Sequence, residues 1–84
     1  MRSVPTPQAL REMTEHDRIE HFALAALRHF RETGVADEDV VGLCRRRDDV
    51  GVRAAIRTAT WSAHMFVAVD YGAVKARVIE LVRQ

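Results

Sequence analysis

The sequence predicts an all-α fold, a compact three-to-four-helix bundle with an extended N-terminal arm. Three observations carry this expectation. Apolar residues recur at helical spacing over most of the chain. Glycine and aspartate punctuate the periodic stretches where helices should stop and start. The length, 84 residues, suffices for one compact core and no more.

The arm with its short helical turn occupies residues 1–13, and a single helical domain occupies 14–84. Pro5 and Pro7 push Val4 and Thr6 toward extended conformations. Thr6 is a candidate cap, with Pro7 at the first helical position and a turn ending near Met13. Thr14 then offers a second cap, with Asp17 three residues on in the manner of a capping box. Ile19, Phe22, Ala23, Ala26, Leu27 and Phe30 fall in a stripe about 140° wide at helical spacing, predicting a helix over 15–33. Its acidic start and basic end suit the helix dipole, and Gly34 can stop it in the left-handed conformation.

Asp37 is the candidate cap of a shorter helix over 38–47, with Val40, Val41, Leu43 and Cys44 on its apolar face. The stretch LCRRRDDVG follows. Arg45, Arg46 and Arg47 are expected in the last turn, facing unpaired carbonyls, and Asp48 or Asp49 is expected to cap the next helix. A third helix is predicted over 50–69. Val52, Ala55, Ile56, Ala59, Ala63, Phe66 and Val67 form one apolar stripe. Ala54, Trp61, Met65 and Ala68 form a second, and Arg53, Arg57, Thr60 and His64 form a narrow polar seam. A helix apolar on two sides is either central to its fold or half of an interface. Asp70-Tyr71-Gly72 signals a turn. Val74, Val78, Leu81 and Val82 then predict a closing helix over 73–83. The alternative is a helix-turn-helix core with a C-terminal β-hairpin pairing 65–70 with 73–78, because Val74, Ala76 and Val78 also alternate.

Composition narrows function by exclusion. The formal charge is +1, without the basic excess usual in proteins that live on phosphate contacts. Twelve arginines stand against one lysine, and asparagine is absent. That pattern reads first as the codon bias of a GC-rich bacterial or phage genome. One cysteine, no apolar leader and no apolar run beyond a few residues suggest a cytoplasmic protein with no membrane contact.

Neither a metal site nor a cofactor is expected. His16 and His21 lie about 140° apart around a helix, and no HExxH or paired-cysteine spacing accompanies them. Cys44, Ser3 and Ser62 lack a recognisable activated base, and the glycines form no phosphate loop. The chain is therefore expected not to be an enzyme.

Two binding readings remain. In the first, a protein partner docks on the third helix at Trp61 and Met65, rimmed by Arg57 and His64, residue types suited to interface cores. The partner's identity is open, and homodimerisation through the same face is a variant. In the second, the order of three helices resembles a helix-turn-helix domain over roughly 45 residues. Arg53, Arg57 and His64 would then reach bases and Arg45, Arg46 and Arg47 the backbone; Arg45, Arg46, Arg47 and Arg53 are equally candidate contacts to a phosphate or to an acidic partner. The turn RDDV departs from that pattern, having no glycine and two aspartates where phosphates would lie.

Overall fold

The computed structural model describes residues 7–60 and 68–84. They form five helices and no strand: α1 (Pro7–Glu12), α2 (Glu15–Glu32), α3 (Asp37–Arg45), α4 (Val50–Thr60) and α5 (Tyr71–Val82). The helical bundle expected from the sequence is what folds. Residues 1–6, including the Thr6 cap, and 61–67 lie outside the described residues.

Helix α2 is the central rod. Thr14 caps it by accepting a hydrogen bond from the Asp17 N–H at 3.1 Å. At its far end Gly34 adopts φ 82°. The Gly34 N–H reaches the Arg31 carbonyl and the Val35 N–H reaches Phe30, closing a Schellman motif. α4 and α5 both pack along α2, and α3 lies mainly on α5. Phe22, Ala23, Ala26, Leu27 and Phe30 of α2 meet Val52, Ala55 and Ile56 of α4 and Val74 and Val78 of α5 in one core. Val40 and Cys44 of α3 and Leu10 of α1 complete it.

Four sequence expectations need correction. The third helix does not extend to residue 69, since residues 68–70 are not helical and Asp70 instead caps α5 by accepting from the Ala73 N–H at 3.0 Å. The hairpin alternative fails because 71–82 is helical. Val74 and Val78 are buried one turn apart while Ala76 is exposed, so their alternation with Ala76 was incidental to a helical stripe. Asp37 is not the cap of α3. Ala36 holds that position without a side-chain bond, and Asp37 sits in the first turn, bonded to Arg31. Finally, only Arg45 of the arginine triplet lies in the last turn of α3. Arg46 leaves the helix at φ −69°, ψ 150°, and Arg47 lies in the turn beyond it.

The path from α3 to α4 is tight. A Cβ on Gly51 would stand 3.1 Å from the Leu43 side chain, so glycine permits the close approach of the two helices there.

Candidate functional site

The stretch LCRRRDDVG is first a structural joint. The Arg46 guanidinium donates to Asp48 at 3.0 Å, and Asp48 in turn accepts from the Val50 N–H at 3.2 Å, turning the chain into α4. These bonds hold the Asp48 carboxyl below its ordinary value, the Arg46 side chain being the main cause. Asp49 is gripped from the other side of the molecule. Lys75 of α5 places its Nζ 2.7 Å from the Asp49 carboxylate and donates to the carbonyl of Arg46 at 2.9 Å. The lone lysine thus stitches the α3–α4 turn to α5 from a nearly buried position. Sequence reasoning missed it. The available signal was a single lysine, in a chain that otherwise uses only arginine, standing beside an apolar stripe residue.

Much of the remaining arginine is also structural. Arg18 donates to the carbonyls of Leu10, Arg11 and Met13, satisfying the open C-terminal end of α1. Arg31 forks onto Asp37 with two bonds of 3.2 Å across the α2–α3 corner. Arg77 of α5 forks onto Glu20 of α2 at 2.6 and 3.2 Å and also reaches Glu80 at 3.1 Å. Such forks match guanidinium to carboxylate geometry. The Arg77 bond is the main reason the Glu20 carboxyl lies below its ordinary range.

The outward face of α4 differs. Val50, Arg53, Ala54 and Arg57 share one side of the helix at i, i+3, i+4 and i+7, and all four are exposed. Val50 is 72% exposed, an unusual position for a large aliphatic side chain. With Asp49 these residues line an open cleft of about 270 Å³. The Arg53 guanidinium lies over the Tyr71 ring, 5.1 Å from its centroid. Among the described residues neither Arg53 nor Arg57 has a carboxylate partner.

The structure therefore brings two of the sequence-derived candidates, Arg53 and Arg57, to one cleft. It separates from them Arg45, Arg46 and Arg47, which are exposed but do not line it. Trp61, His64 and Met65 lie outside the described residues. Val50 was not singled out from the sequence; its signal was an aliphatic residue at the start of α4, off the buried stripe of Val52, Ala55 and Ile56.

The other reactive groups are embedded. Cys44 is buried, and burial pushes its thiol up. Among the described residues His21 has its Nε2 buried without a hydrogen-bond partner, and burial lowers its affinity for a proton. No group of three or more metal-ligating side chains occurs among the described residues. No helix among them is long and apolar enough to cross a membrane. Comparison with known protein families, with characterised proteins and with solved structures finds no match.

Proposed function

We propose that this chain is a small, non-enzymatic cytoplasmic protein that regulates a partner protein by docking it on the outward face of α4. The observation that supports this reading is the exposed strip Val50–Arg53–Ala54–Arg57, where aliphatic and guanidinium surface alternate. Covering aliphatic surface there supplies binding energy at about 25 cal/mol per Å². Trp61, Met65 and His64, with Arg57, remain the proposed partner contacts read from the sequence.

A protein partner fits the strip better than duplex DNA. A recognition helix meets base edges and phosphates near its N-terminal end. At that end α4 presents the exposed Val50, with Asp48 and Asp49 just before it. The net charge of +1 gives little long-range attraction for a polyanion.

Affinity capture from native cytoplasm tests the reading, comparing wild type with Ala54→Glu and Trp61→Ala. Loss of a shared partner in both variants is expected, with the fold checked by circular dichroism. Unchanged recovery of every partner by Ala54→Glu removes the α4 face from the site. A mixed-sequence duplex titrated at about 50 mM salt tests the helix-turn-helix alternative, which needs affinity that falls steeply as salt rises.

A further inference from the structure

Arg53 and Arg57 stand one turn apart, which places their side-chain origins about 6 Å from each other. The carboxylates nearest in sequence are already held. Asp48 is bonded to Arg46 and Asp49 to Lys75. They are not drawn across to quench the two α4 arginines. The contact of the Arg53 guanidinium with the Tyr71 ring, 5.1 Å from its centroid, restrains it, so less freedom is lost when an anion docks. Val50 and Ala54, also one turn apart, form an aliphatic row beside the two arginines.

The cleft of about 270 Å³ is open and lined by Arg53 and Arg57, by Val50 and Ala54, and by Asp49, whose carboxylate is already paired with Lys75. Small-molecule sites are usually enclosed and start at roughly 300 Å³. This one has room for one or two side chains of a larger molecule.

Resting on the docking reading above, we infer that the occupant of the α4 cleft is an acidic protein segment. It carries two carboxylates spaced to meet Arg53 and Arg57, with an aliphatic side chain beside them set against Val50 and Ala54. A helix with acids four residues apart gives that spacing, and an aliphatic residue three places along lies on the same face. Paired guanidinium–carboxylate bonds supply register, and the aliphatic contact excludes water from them. A nucleic-acid strand would offer anions of similar spacing but little aliphatic surface to cover Val50 and Ala54.

Selection from a random dodecapeptide display library tests this directly on the full chain. Four baits are used: wild type, the double variants Arg53→Gln/Arg57→Gln and Arg53→Lys/Arg57→Lys, and Ala54→Glu, each checked for helix content. Wild type is expected to enrich peptides with paired acids flanking Leu, Ile or Val. Their affinity should fall at least tenfold on the double variant, recover at least in part with Lys at both positions, and vanish on Ala54→Glu. Peptides that lack an acidic bias yet are lost on Ala54→Glu would keep the α4 face as a docking site and overturn the acidic partner. Peptides indifferent to Ala54→Glu, or no enrichment at all, would overturn both. Displacement of the selected peptides by a mixed-sequence duplex in preference to an acidic peptide would assign the cleft to nucleic acid instead. Self-association of wild type that Arg57→Gln abolishes would assign it to a second copy of the chain.

Discussion

At the seam between α2 and α5, Arg77 grips Glu20 with two hydrogen bonds and Val74 and Val78 sink into the core. On the outer side of α4, Arg53 and Arg57 meet no carboxylate among the described residues, and Val50 and Ala54 stand in solvent. The same residue types thus serve opposite ends. At the seam a guanidinium neutralises a neighbour and fixes two helices. On α4 it remains available. Arginine number alone does not separate these uses; the position of the nearest carboxylate does.

The strongest way to break the contrast is to strike each region at its centre. Phe22→Ala empties a fully buried site on α2 and should cost about 3–5 kcal/mol of unfolding free energy in urea melts. Ala54→Glu, on the exposed face of α4, should change stability by about 0.5 kcal/mol or less. A large loss from Ala54→Glu would mean that the face is structural after all.

Lys75→Ala comes next. It leaves the Asp49 carboxylate and the Arg46 carbonyl without their donor at a half-buried corner. A loss of about 2 kcal/mol is expected, below that of a fully buried pair because Asp49 is partly exposed. Lys75→Met, which keeps the stem but not the charge, should lose a similar amount if the bonds matter rather than the packing.

Acid titration sharpens the comparison at the seam. The Glu20 carboxyl lies below its ordinary value of 4.5 because Arg77 bonds to the ionised form. The folded chain therefore holds fewer protons than the unfolded one as pH falls through that region. The stability from this pair is whole above pH 4.5 and is lost as pH drops through the lowered value. Glu20→Gln should destabilise less than Lys75→Ala and flatten that limb of the pH–stability curve. His21 gives a second limb. Its buried ring protonates less readily than the ordinary 6.5, with the Arg28 charge as a lesser cause. The unfolded chain takes up that proton first, so stability falls as pH drops below 6.5. Urea midpoints on either side of that pH should differ less in His21→Leu than in wild type.

The smallest expected effect is Arg57→Gln, within about 0.5 kcal/mol of wild-type stability, as befits an exposed cation. A clear loss would show that Arg57 is a staple like Arg77.

The extent of legibility follows from the range of each interaction. Helix α2 could be read almost to the residue because its cap, its stripe and its Gly34 stop are all local. α4 could be read on its buried side, from Val52 through Ile56, but not to its end. There the composition of residues 65–69 suits helix and strand alike. Of the expected site, Arg53 and Arg57 do lie together on an exposed face, as their spacing requires. That Arg46 is tied to Asp48, and that neither Arg46 nor Arg47 continues α3, was not visible, since helix length decides it.

By itself the sequence determined the all-helical class, the central helix and its caps, because periodicity and capping act over a few residues and need no distant partner. Tertiary structure alone decided the long-range pairs. Glu20 and Arg77 are 57 residues apart in the chain, and Lys75 meets the carbonyl of Arg46 across 29. Only the packing of α3 and α2 against α5 brings those groups within bonding distance, and only that packing leaves the α4 arginines outside.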